Sequence, residues 1–148
     1  TRAAIDIDGW LHTGDLAVRN EAGHVFFLGR LKETLRIGHQ MVAPAEIEAF
    51  LMTHPQVGQA FVVGVPDSRL GEVAVAYVIP RSGTSPTEAE VVAHCRGRLA
   101  SFKVPRHVFV VPDVPRTLGP HGDKVQRAEL RADALRLLGV SADTRRAG

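Results

Sequence analysis

This 148-residue sequence contains 18 basic residues, of which 15 are arginine; the lysines are Lys32, Lys103 and Lys124. An ammonium is a compact, mobile point charge and a guanidinium a rigid fork, so the two differ wherever one particular oxygen must be reached. Chance among three residues is the plain alternative. Asp15, in Thr13-Gly14-Asp15, offers an acceptor-only carboxylate that takes two donors at once, although Thr-Gly-Asp alone is an ordinary turn. Gly38, in Gly38-His39-Gln40, permits close approach of another group, or simply closes a hairpin. The seven histidines show no ligand spacing, so no metal site is inferred within the chain. A single cysteine, Cys95, excludes an internal disulfide and a multi-cysteine zinc site.

The elements that must position these residues follow from pattern. Residues 1–31 read as turns and short strands, with a hairpin signal at Asn20-Glu21-Ala22-Gly23 before the apolar Val25-Phe26-Phe27-Leu28. Leu35 and Ile37 alternate with Thr34 and Arg36 to form a short strand; Gly38-His39 turns the chain, and Val42 leads into Pro44 at the first position of a helix. Glu46 and Glu48 are expected in its first turn, complementing the helix dipole, and the helix is expected to run to Thr53 before Pro55. Phe61–Val65 and Val73–Ile79 read as an antiparallel strand pair, and Val108–Val111 as a further strand. Ser85-Pro86-Thr87-Glu88 reads as a capping box opening a helix with Val91, Val92, Cys95 and Leu99 on one face, Cys95 in the core. A turn-rich loop from Pro112 to Asp123 leads to Lys124. A last helix, Arg127 to Leu138, points Leu130, Ala134, Leu137 and Leu138 inward and stops at Gly139. The fold class is α+β: a small mixed or antiparallel sheet with flanking helices, preceded by a short β-hairpin.

Length allows one domain able to bury roughly 70% of the surface its unfolded chain exposes. A net charge of +2 and 5% aromatic residues exclude an extended nucleic-acid surface. No apolar run approaches the roughly 20 residues of a membrane span, and no signal pattern opens the sequence, so the expected location is cytoplasmic.

The order Gly29-Arg30-Leu31-Lys32-Glu33, Gly38, Val42 and Pro44-Ala45-Glu46-Ile47-Glu48 resembles the core motif of the adenylate-forming enzymes. Asp8-Gly9-Trp10-Leu11-His12-Thr13-Gly14-Asp15-Leu16 upstream, and Pro115-Arg116-Thr117 with Asp123-Lys124-Val125-Gln126-Arg127 downstream, are similar to its other late motifs. The resemblance covers about Gly9 to Arg131 and only the last part of such an enzyme. It implies that residues 1–31 are the end of a large N-terminal adenylation domain, 32–138 the mobile C-terminal domain and 139–148 a tail. Residues 1–10 are then expected to be poorly ordered without what precedes them.

By the same resemblance, Asp15 binds the ribose hydroxyls of ATP or AMP and Arg30 the ribose or phosphates, a surface pair with Glu33 being the alternative for Arg30. Lys32 is the hinge, and Gly38, His39 and Gln40 form the loop that enters the site for thioester formation. Lys124 orients the carboxylate against the α-phosphate, with Lys103 a distant second. The loop before Lys124 is longer than usual, and Asp123 stands where glycine is common. Arg96, Arg98, Lys103 and Arg106 form a basic cluster that either meets the phosphates of CoA or is a solvated face.

The reading is an acyl-CoA synthetase of the AMP-forming class, most like a fatty-acid ligase, with a carboxylic acid, ATP and CoA as small-molecule partners. Mg2+ is expected with ATP, held mainly by the N-terminal domain. The 148-residue chain alone is expected to be inactive. The alternatives are an adenylation domain loading a carrier protein, and a stand-alone docking or regulatory module.

Overall fold

The computed structural model describes residues 5–120 and 122–141. Expectations for residues 1–4 and for the tail beyond Ser141 lie outside the described residues, as does His121. The chain opens with the hairpin β1 (Asp15–Arg19) and β2 (Val25–Arg30), joined across Asn20 to His24. A single 3-10 turn, Leu31–Glu33, leads into β3 (Leu35–Ile37) and β4 (Gln40–Val42), then α1 (Pro44–Leu51). The long pair β5 (Val57–Asp67) and β6 (Gly71–Pro80) follows, then α2 (Glu88–Cys95), β7 (His107–Val110), the two-residue strands β8 (Arg116–Thr117) and β9 (Lys124–Val125), and α3 (Arg127–Leu138).

The main sheet has the order β4-β3-β6-β5, with β7 beside β6. All its pairings are antiparallel except β6 with β7, which makes the sheet mixed, as the α+β reading expects. Its central strands are apolar on both faces because both faces are covered. Along β6, Ala74, Ala76 and Val78 join the core under α1 and α2, while Val73, Val75 and Tyr77 join the core under α3. The period of two in a strand thus separates one apolar run into two cores.

Several local expectations shift. The N-cap of α2 is Thr87 rather than Ser85: its hydroxyl accepts the Glu90 N–H, and the Glu90 carboxylate accepts the Thr87 N–H. The helix ends at Cys95, so Leu99 packs on the same core from beyond it. Gly139 closes α3 at φ 63°, as expected, but Leu137 is half exposed and only Leu130 and Ala134 are fully buried. Glu46 lies in the first turn of α1, whereas Glu48 is buried beneath it.

The Glu48 carboxylate receives the Val62 N–H at 2.8 Å and the Arg127 guanidinium at 2.6 and 3.2 Å. Arg127 also donates to the Val62 carbonyl at 3.0 Å and pairs with Glu33 at 3.3 Å. Burial works to lower the Arg127 pKa, but the hydrogen bond and charge of Glu48, with Glu33 behind them, outweigh it and leave the group above its ordinary value. Glu48→Ala strands that cation; it should cost the fold about 3 kcal/mol, read as a lowered midpoint in urea unfolding.

Candidate functional site

Asp15 and Arg30 sit directly opposite each other across the β1–β2 ladder, next to a bulge between Leu16 and Ala17. Arg30 Nε lies 3.0 Å from Asp15 Oδ1, and its Nη1 donates to the Thr13 carbonyl at 3.3 Å. Thr13 Oγ1 in turn accepts the Asp15 N–H at 3.2 Å. The partner of Arg30 is therefore Asp15 and not Glu33, because cross-strand register places those two side by side. One carboxylate oxygen is fixed by a guanidinium while the other keeps its acceptor capacity, a donor-poor edge suited to a pair of hydroxyls.

Lys32 lies in the 3-10 turn between two anchors. On one side the Leu31 N–H donates to the Gly14 carbonyl at 2.7 Å, tying the chain to the hairpin segment. On the other, Glu33 is paired with Arg127. Lys32 itself forms no side-chain hydrogen bond or ion pair among the described residues.

Lys124 begins β9, opposite Thr117 of β8. The longer loop is thus the excursion of a hairpin, and its extra residues do not displace Lys124 from the Pro115-Arg116-Thr117 strand. Gln126 holds the base of this hairpin, its N–H donating to the Pro115 carbonyl at 2.9 Å and its side chain to Thr117. Lys124 is exposed and has no carboxylate partner among the described residues. It lines one open cleft of about 370 Å³ together with Lys32, Glu33, Thr34, Gln126 and Arg127. Lys103, by contrast, is committed: its Nζ lies 2.6 Å from Glu46 Oε1.

Gly38, His39 and Gln40 line a separate shallow recess with Arg36 and Met41. Ile37 pairs with Gln40, so Gly38-His39 is a two-residue hairpin loop, and Gly38 takes φ 62° at its first position. That is the place where such a loop asks for glycine. In the basic cluster, Arg96 and Arg106 line a recess with Ser101, and Arg106 lies 3.7 Å from Asp67. Among the described residues no three His, Cys, Asp or Glu side chains gather as a metal site, and no helix is long and apolar enough to cross a membrane.

The structure therefore joins Asp15 with Arg30 and Lys32 with Lys124, and keeps the Gly38 turn apart. Sequence reading missed Arg127 as the anchor of the Lys124 segment, since its partners are 79 and 65 residues away. It also passed over the carboxylate of Asp67, although Pro66-Asp67 before Gly71 was a visible turn signal.

The described residues thus comprise a hairpin carrying the Asp15–Arg30 pair, a short 3-10 turn at Lys32, and a mixed-sheet unit on which Lys124 is exposed. Residues 46–118 match the family model for the AMP-binding enzyme C-terminal domain. The chain is 42% identical over 142 residues to the putative acyl-CoA synthetase YngI of Bacillus subtilis, covering 96% of this chain and 25% of that protein. It is 38% identical over 140 residues to the mitochondrial medium-chain acyl-CoA ligase ACSF2 of Pongo abelii, covering 95% and 22%. Its fold superposes on ATP-bound MatB from Rhodopseudomonas palustris with a TM-score of 0.82 and 36% identity, covering 93% of this chain and 27% of that one. This chain belongs to the adenylate-forming enzymes and carries their C-terminal domain; it spans about a quarter of the length of the curated relatives it matches.

Cys95 takes no part in thiol chemistry here. It is fully buried, and burial pushes its thiol up to about 11. A thiol reagent near neutral pH should leave Cys95 unmodified in the folded chain and label it completely once the chain is unfolded, as mass spectrometry would read out.

Proposed function

We propose that this chain is the C-terminal part of an AMP-forming acyl-CoA synthetase, an acid–thiol ligase that activates a carboxylic acid with ATP and passes the acyl group to CoA. The observation that carries the reading is the cleft shared by Lys32 and Lys124, with Lys124 exposed beside an anchored Arg127. The names of YngI and ACSF2 support an acyl-CoA product, with a fatty acid as the acid proposed, and the likeness to ATP-bound MatB supports the nucleotide.

In this reading Asp15 accepts the two ribose hydroxyls, with Arg30 fixing its orientation and lending positive charge toward the phosphates. When a carboxylate approaches the α-phosphate, both reactants are anionic and the leaving pyrophosphate gathers more charge. The Lys124 ammonium, on a hairpin whose base is held by Gln126 and Arg127, offsets that repulsion and lines up the attack. Mg2+ accompanies ATP and is held by residues outside this chain. Lys32 is the joint about which the sheet domain turns once the acyl-adenylate has formed, bringing the Gly38–Gln40 loop toward the thiol. A joint needs only a few backbone torsions to change, and Lys32 has no side-chain bond to break. The proposed acceptor is the thiol of CoA; Cys95, buried in the core, is not the acceptor.

Because the large domain's pocket for the acid is needed, the 148-residue chain should be silent, and the complete protein should release AMP in a carboxylate- and CoA-dependent way. In that complete protein Lys124→Ala should slow acyl-adenylate formation about 100- to 1000-fold, the scale of one transition-state donor. Thioester formation from supplied acyl-adenylate should be spared. Equal losses in both half-reactions, measured by pyrophosphate exchange and by single-turnover acyl transfer, would remove Lys124 from this role.

A further inference from the structure

The Gly38–Gln40 loop belongs to a hairpin with only three residues in each strand, too short to hold its own shape in water. Its fixed point lies elsewhere. The Gly38 N–H donates to the Leu70 carbonyl at 2.7 Å, the Arg36 N–H donates to Glu72 Oε2 at 2.8 Å, and Ile37 pairs with Gly71. All three links reach the turn between β5 and β6, which closes a ladder running from Val57 to Pro80.

That turn is itself set by one carboxylate. Asp67 Oδ1 accepts the N–H groups of Arg69 at 2.9 Å and Leu70 at 2.8 Å, while its Oδ2 faces the Arg106 guanidinium at 3.7 Å. Asp67 thereby holds Leu70 by its N–H, and the carbonyl of that same residue receives the Gly38 N–H. Glu72 reaches Arg36 only because residue 64 has no side chain: a Cβ there would lie 2.8 Å from Glu72 Oε1 and 2.6 Å from Leu35 Cδ2. None of the groups bonded to Asp67 lies in the Lys124 hairpin.

We propose that the β5–β6 turn is the seat of the thioester-forming loop, with Asp67 and Glu72 as positioning residues for acyl transfer to the thiol. This rests on the acyl-CoA synthetase reading. Asp67 lines no part of the Lys124 cleft and acts through the backbone of residues 36–38, so loosening that backbone from Asp67 penalises the step that uses Gly38 while leaving adenylate formation alone. Glu72 bonds the Arg36 N–H but also lines that cleft, so the adenylation control is read on Asp67.

The test uses the complete protein and two readouts. Amide hydrogen exchange across residues 35–42 reports the seat directly. Pyrophosphate exchange and single-turnover transfer from supplied acyl-adenylate to CoA report the two half-reactions. Asp67→Ala should speed exchange in that segment and slow transfer about 10- to 100-fold, with pyrophosphate exchange changed less than about twofold. Asp67→Asn should recover most of the transfer rate, because its amide oxygen accepts the same two N–H groups. Should Asp67→Ala not fold, Asp67→Ser, whose shorter hydroxyl is a weaker acceptor for the same two N–H groups, carries the same measurements.

Unchanged exchange at 35–42 would overturn the seat. Parallel losses in both half-reactions, or faster exchange with undiminished transfer, would overturn the positioning role. A wild-type protein that makes acyl-adenylate but never transfers it to CoA would overturn the acyl-CoA reading instead, and the exchange measurement would still decide whether the seat exists.

Discussion

The arrangement of this domain depends on the pairing of Arg127 with Glu48. Their side chains are only 24% and 11% exposed, so both ions have given up most of their hydration. Such a pair stabilises little on balance unless its remaining donors and acceptors are occupied. Here they are. Arg127 spends its donors on Glu48, on the Val62 carbonyl and on Glu33, and Glu48 also receives the Val62 N–H. What the pair contributes is registry. It fixes where α3 starts against α1 and β5, and with it the position of Lys124 three residues earlier. Through Glu33 the same guanidinium fixes the chain immediately after Lys32, so the joint and the lysine hairpin share one reference point.

This economy explains why the joint is short. Glu33 is held by Arg127 on the sheet side, and Leu31 by the Gly14 carbonyl on the hairpin side. In the proposed reading, motion between the two bodies is left to the torsions around Lys32. The hairpin also presents Val25, Phe26, Phe27 and Leu28 as exposed side chains. An apolar strand laid open in this way fits its expected place at the edge of a larger domain, whose surface would cover it.

Much of this was legible in the sequence because it is local. The apolar run Val73–Ile79, Pro44 at a helix start and Gly139 at a helix end each follow from a backbone preference acting within a few residues. The order of the motifs is what singled out Asp15, Lys32, Gly38 and Lys124 as candidates. The errors were of another kind. Ser85 and Thr87 both suit an N-cap, and the choice fell to Thr87 because Glu90 stands three residues on and closes the reciprocal bonds. Glu48 read as a dipole-complementing carboxylate because nothing near it in sequence announces Arg127. Long-range ion pairs have no sequence period, so the burial of Glu48 could not be read from pattern; the turn at Asp67 is local and was visible, but its link to the Gly38 loop was not.

The two loops proposed for the two half-reactions are attached to different points of the β5–β6 pair. The Lys124 hairpin packs by Phe61, midway along β5, through the stacking of Arg116 and the recess that Lys124 and Phe61 share. The Gly38 loop is fixed to Leu70, just past the end of β5. From Phe61 to Asp67 an extended chain covers roughly 20 Å. Both points of attachment belong to the continuous β5–β6 ladder, so the two loops are parts of one packed body. In the proposed reading, two loops on one packed body serve successive steps at one centre when that body turns about Lys32, whose side chain has no bond to break between two anchored neighbours.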